Sequence, residues 1–295
     1  MTRGRVAVGL GIVIVGASLL TSCGGGGGQL AEQGGAESST TLAPNAPVPT
    51  RSLASPRSAD ATARELGEVE SALRDDDRDS RRLAELGHRQ QLAYRALAAH
   101  PRWVTRVTRA VPAEVRAAVR SNVEADASLA ALTGSGGSLP STLPDWQVLA
   151  PLPSSRLRQF YEEAEAASGI PWAYLAAIHL VESRMGRIHG TSTAGAQGPM
   201  QFIPETWANY GEGDIADDHD AIQAAGRYLA SRGGPDDMTR ALYSYNNDDR
   251  YVAAVKAYAS VMLAHPRAYD GYHAWQVFYA TRDGAYLLPE GYGTP

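Results

Sequence analysis

Ala177-Ile178-His179-Leu180-Val181-Glu182-Ser183-Arg184 sets a carboxylate at the end of an apolar run. Ile170-Pro171 opens the segment, and Leu175, Ile178 and Val181 recur at helical spacing, which predicts one helix drawn into a core. A glutamate carried along by such a helix is half-buried. Loss of water then raises its pKa and keeps it protonated near neutral pH. That is the form a general acid must hold. Taken alone, a glutamate near a helix end is more often a surface charge or an arginine partner, and Arg184 and Arg187 follow closely.

Two later segments narrow the choice. Gly195-Ala196-Gln197-Gly198-Pro199-Met200-Gln201-Phe202-Ile203-Pro204-Glu205-Thr206-Trp207 comes first, then Ala241-Leu242-Tyr243-Ser244-Tyr245-Asn246. With Glu182-Ser183 they resemble the lytic transglycosylases of the lysozyme-like superfamily (the SLT type), whose signature is a helix-ending Glu-Ser, a Gly-x-Met-Gln turn and a later Tyr-Asn. The longer Gly-Pro-Met-Gln-Phe form, with Asp220-Ala221-Ile222 and Tyr228-Leu229 downstream, is most similar to the membrane-bound murein transglycosylase B branch. The resemblance spans about residues 155–265.

The resemblance implies a mainly α, lysozyme-like α+β domain acting on peptidoglycan glycan strands. It implies Glu182 as acid and then base, and Ser183 orienting it or touching the sugar. Met200 and Gln201 line the groove, Tyr245 holds the substrate's N-acetyl group, and Asn246 supports that wall. Phe202 and Trp207 read as core. One assigned carboxylate favours intramolecular attack by the sugar's own 6-hydroxyl, giving a 1,6-anhydro end, because a hydrolase ordinarily uses a second carboxylate. The alternatives are a muramidase-type hydrolase on the same fold, or a non-catalytic glycan-binding or scaffolding lipoprotein.

No cofactor is expected. His179 and Glu182 are three apart, but no His-Glu-x-x-His pattern exists to hold zinc. The acidic stretch Gly211-Glu212-Gly213-Asp214-Ile215-Ala216-Asp217-Asp218 is shorter than the loop often found in the resembled branch. It lacks the ligand spacing of a calcium loop, so no metal is expected there either. It reads as a helix start, with Asp214 or Asp217 open as a second carboxylate.

Outward from this region, the N-terminus carries Arg3 and Arg5, then fifteen uncharged residues from Val6 to Leu20. That is the pattern of an export signal and is too short for a spanning helix. It ends in Leu20-Thr21-Ser22-Cys23, which resembles a bacterial lipobox. Cys23 is the only cysteine, and lipidation accounts for a free thiol in an exported chain. The expectation is a signal peptide over 1–22 and a lipid anchor on Cys23 at the extracytoplasmic face of the cell membrane. A Gly-, Ser-, Thr-, Ala- and Pro-rich flexible stalk follows over 23–59.

Residues 60–132 read as a helical accessory region, with a possible cell-wall protein partner. Leu66, Val69 and Leu73 share one helical face, and Leu83, Leu86, Gln90, Ala93 and Leu97 share another. The acidic run Asp75–Asp79 separates them. Pro112 opens a further helix burying Val115, Val119, Val123 and Leu129. Residues 133–153 form a linker, and 154–295 the catalytic domain. Asp283-Gly284 marks a C-terminal β-hairpin. Residues 154–295 carry a net charge of −6 within an overall −5, which disfavours nucleic acid as a partner.

Overall fold

The computed structural model describes residues 48–49, 55–75, 79–134 and 139–293. The signal peptide expected over residues 1–22, and Cys23, lie outside the described residues. In chain order the elements are β1 (Val48–Pro49), α1 (Ala59–Ala72), α2 (Ser80–Ala99), α3 (Val104–Ala110), α4 (Arg116–Gly134), β2 (Gln147–Val148), α5 (Ser154–Ser168), α6 (Trp172–Ser183), β3 (Ile188–His189), α7 (Pro204–Tyr210), α8 (Asp218–Ser231), α9 (Met238–Tyr245), α10 (Asp249–Ala264), α11 (Ala268–His273), β4 (Val277–Thr281) and β5 (Gly284–Leu288). Two small antiparallel sheets sit on this helical body, in the orders β1-β5-β4 and β2-β3. The fold is thus the mainly α, lysozyme-like arrangement that the sequence predicts.

Local chemistry sets many of the helix starts. Ser58, Asp79, Asp217, Asp237 and Asp248 each accept a backbone N–H of the first turn with their side chains. Gly169, at φ 75°, ends α5 in the left-handed region that a side chain disfavours. Almost every residue of α6 is buried, so this helix is apolar all round and lies inside the molecule.

The helices before and after residue 140 share one core. It runs from Leu66, Tyr94 and Leu129 through Ile178 and Leu242 to Val255 and Tyr272, and α10 packs along both α4 and α6. A buried polar chain crosses the same seam. Glu70 accepts from Gln90 Nε2 (2.9 Å) and Tyr94, Asn122 Nδ2 donates to the Tyr94 hydroxyl (3.1 Å), Tyr272 donates to Asn122 Oδ1 (2.7 Å), and Trp275 Nε1 donates to Gln90 Oε1 (2.8 Å).

Four details differ from the sequence reading. Val48 and Pro49 pair with Leu287 and Tyr286, so the stretch read as stalk contains a short strand. Within the expected linker, Gln147 and Val148 pair with His189 and Ile188, and Leu149 N–H continues the contact to the Arg187 carbonyl. The helix expected at Pro112 begins at Arg116, because Pro112 instead accepts from Val115 N–H in a turn. The hairpin loop is Arg282-Asp283, and Gly284 at φ 137° already pairs with Thr281.

Candidate active site

The site grows from the C-terminal end of α6. Glu182 is 4% exposed, at the point where the helix stops and the backbone turns through three left-handed residues, Arg184, Met185 and Gly186. Two of these carry side chains, so the bend stores local strain that the surrounding packing must hold. Ser183 fixes it. Its hydroxyl donates to the Pro199 carbonyl at 2.6 Å and accepts Gly186 N–H at 3.0 Å.

Pro199 belongs to the tight turn Gly198–Gln201, closed on both sides by reciprocal backbone bonds between Gln197 and Phe202 at 2.9 Å. Gly198 adopts φ 72°, and a Cβ there would lie 1.9 Å from the Ile215 carbonyl oxygen. Gln201 is also left-handed, at φ 50°, and its side-chain amide donates to the Gly198 carbonyl at 2.9 Å. Met200 is fully buried, and its carbonyl accepts from the Tyr245 hydroxyl at 2.6 Å. Phe202 packs edge-on against Trp207 and at a tilt to Tyr245, in keeping with a core role for Phe202 and Trp207.

From the other side comes Tyr251, in the first turn of α10. Its hydroxyl donates to Glu182 Oε1 at 2.7 Å. Its ring lies parallel to that of Tyr245, with centroids 6.4 Å apart. Asn246, next to Tyr245, is 3% exposed, and its Oδ1 is buried with no hydrogen-bond partner among the described residues.

Burial pushes the Glu182 carboxyl up to about 8, and the Tyr251 hydrogen bond pulls part of that back. Burial first, and then the nearby Glu182 charge, hold both tyrosine hydroxyls well above their ordinary range, so they remain neutral donors. The arrangement is a protonated carboxylic acid in a dry setting, able to give up a proton and to be stabilised once it has done so.

Of the residues read from the sequence, Glu182, Ser183, Met200, Gln201 and Tyr245 are brought together around this turn. In the structure the hydroxyls of Ser183 and Tyr245 both bind turn carbonyls rather than facing open space. Tyr251 was not read from the sequence. A tyrosine at the start of an amphipathic helix looks like core, and only the reversal between α9 and α10 sets it on Glu182.

The other polar groups weighed from the sequence are occupied elsewhere. His179 sits between Tyr161, whose hydroxyl is 2.7 Å from Nδ1, and Asp218, whose Oδ1 is 3.2 Å from Nε2. Asp214 accepts Ala216 N–H, and Asp217 accepts Asp220 N–H. The ligand atoms of Asp217, His219 and Asp220 lie within 4.8 Å of one another near the surface. Hydrogen bonds from Asp214 N–H and His219 hold the Asp220 carboxyl below its usual range, so this cluster serves the loop and the start of α8. Among the described residues no second carboxylate hydrogen-bonds with the Glu182–Tyr251 pair, and no helix is long and apolar enough to cross a membrane.

Comparison with known proteins adds two findings. Membrane-bound lytic murein transglycosylase F of Thiobacillus denitrificans (strain ATCC 25259 / T1) is 31% identical over 121 residues, which is 38% of this chain and 26% of that protein. The chain therefore spans about a quarter of the length of this curated relative. No solved structure matches it significantly. The expected likeness to the B branch is finer than these matches resolve. Residues 159–261 match the model of the transglycosylase SLT domain, and that span encloses Glu182, the Gly198–Gln201 turn, Tyr245, Asn246 and Tyr251.

Proposed function

We propose that this chain is a peptidoglycan lytic transglycosylase in which Glu182 acts first as general acid and then as general base. The observation that carries the reading is the Glu182 carboxyl itself: 4% exposed, pushed up to about 8, and hydrogen-bonded to Tyr251 within the span similar to the SLT domain. At neutral pH it holds a proton. It delivers that proton to the oxygen of the MurNAc–GlcNAc β-1,4 bond as the bond to the anomeric carbon breaks, and the GlcNAc side leaves with a free 4-hydroxyl. The neighbouring N-acetyl group stabilises the positive charge left on the sugar.

Glu182, now a carboxylate, is stabilised by the Tyr251 hydroxyl. It takes the proton of the same sugar's 6-hydroxyl as that oxygen bonds to the anomeric carbon. The product is a 1,6-anhydro sugar and the acid is restored. Because the nucleophile is part of the substrate, no water has to be positioned, which suits a site with one carboxylate. Ser183 and Tyr245 hold the Gly198–Gln201 turn in place, Gln201 reads the glycan by hydrogen bonds, and Asn246 supports that wall. The sequence pattern at Cys23 supports a lipid anchor on the extracytoplasmic face of the membrane, which holds the enzyme beside the wall.

Digestion of purified peptidoglycan followed by muropeptide mass spectrometry tests this. The expected result is 1,6-anhydro ends, lost with Glu182→Gln. Reducing ends in their place would assign a muramidase, and full lysis by Glu182→Gln would remove the catalytic role altogether.

A further inference from the structure

Directly after the Glu182–Ser183 pair, Arg184 turns into the interior. It is 2% exposed, and its Nε is buried without a hydrogen-bond partner among the described residues. Its guanidinium lies 5.6 Å from the Trp275 ring centroid. A second guanidinium, that of half-buried Arg95 on α2, lies 4.0 Å over the Phe278 ring. Half-buried Asp126 on α4 is within electrostatic range of both, and its Oδ1 accepts from the Tyr258 hydroxyl at 2.7 Å.

These charges do not close on one another. Among the described residues neither the Arg95 nor the Arg184 guanidinium forms an ion pair or a side-chain hydrogen bond; each lies against an aromatic ring instead. The next cation, Arg187, is already paired with Glu290. Two guanidinium groups therefore face one carboxylate, and the cluster carries a net positive charge. Burial pulls Arg95 down to about 10, lowers Arg184 and raises Asp126, as expected of charges in a poorly hydrated setting. An uncompensated buried cation is costly, and a guanidinium fork is matched best by a planar anion that accepts two parallel hydrogen bonds.

Position says what that anion belongs to. Tyr251 and Tyr258 lie on the same face of α10, two turns or roughly 10 Å apart. Tyr251 touches Glu182 and Tyr258 touches Asp126, so the arginine cluster lies within a substituent's reach of the acid. We infer that Arg95 and Arg184 form a carboxylate-binding site that takes the acidic peptide carried by the glycan being cleaved. This rests on the proposed action on peptidoglycan.

The test uses the full chain with Glu182→Gln, which binds without turnover. Calorimetry compares a MurNAc–GlcNAc tetrasaccharide bearing peptide stems with free carboxylates against the same compound with those carboxylates amidated. The free form is expected to bind about tenfold tighter, the scale of a charge-assisted hydrogen bond. That preference should vanish when Arg95→Gln is added and be kept in part with Arg95→Lys, which keeps the charge but not the fork. Equal affinity for the two forms, or a preference kept by a folded Arg95→Gln protein, overturns the site while leaving the glycan reading intact. Failure of both forms to bind overturns both readings.

Discussion

In the unfolded chain Glu182 ionises near 4.5, whereas in the folded chain it does so only at about 8. Between these values the folded state keeps a proton that the unfolded state has released, so this group's contribution to stability falls as pH rises through that window. Below 4.5 both states are protonated and the effect is absent. Glu182→Gln removes the ionisation without changing the shape. Its melting temperature should match wild type at pH 4 and exceed it increasingly up to pH 8, as read by scanning calorimetry; a constant difference across that range would show that Glu182 is not held protonated. Tyr251→Phe is expected to act oppositely on the chemistry. Without the hydroxyl the carboxyl titrates higher still, so the alkaline limb of the pH–rate profile should move up. At the same time kcat should drop roughly 10- to 100-fold, the scale of one hydrogen bond to a charged group. An unshifted limb would remove Tyr251 from the acid.

At the scale of single elements, the site depends on one turn and two hydroxyls. Ser183→Ala leaves the buried Pro199 carbonyl without its 2.6 Å donor, so a loss of about 1–3 kcal/mol in urea unfolding is expected, with activity falling alongside. Gly198→Ala should be worse, because the new methyl meets the Ile215 carbonyl and the residue must still adopt φ 72°. At the α8 N-terminus, Asp217→Ala removes a cap and should cost about 1 kcal/mol, with the glycan chemistry unchanged. Legibility in the sequence divides along the same line. The extent of α9, Met238–Tyr245, follows from its own periodicity. The start of α4 does not, because a proline that suits a first helical position also suits the turn found at Pro112. The burial of Glu182 was legible in the apolar run of its own helix, whereas its reading as a candidate acid came only from the Gly-Pro-Met-Gln and Tyr-Asn segments that follow. The contacts Ser183–Pro199 and Tyr251–Glu182 were not legible, because each joins residues far apart in the chain, and helical spacing carries no information about such pairs.

For the molecule as a whole, the division into an accessory region and a catalytic domain does not describe how the chain packs. Leu129 and Val255 belong to one core, and the Glu70–Gln90–Tyr94–Asn122–Tyr272 chain ties α1, α2 and α4 to α11. A chain shortened to residues 154–295 exposes the α10 face that packs on α4. It is expected to be insoluble or to melt well below the longer protein; a soluble fragment with native circular dichroism and full activity would show that the earlier helices are dispensable. Scanning calorimetry of the longer protein should give a single cooperative transition, since no seam between the halves is free of shared core.

The helix α10 has a consequence of its own. It carries Tyr251 against the acid at one end and lies along α4 for much of its length, so it works as a shaft whose bearing is the N-terminal half of the protein. A cavity opened at the α4 seam is therefore expected to shift the Tyr251 hydroxyl relative to Glu182. The titration of one buried carboxyl thereby becomes a gauge of mechanical play some distance away.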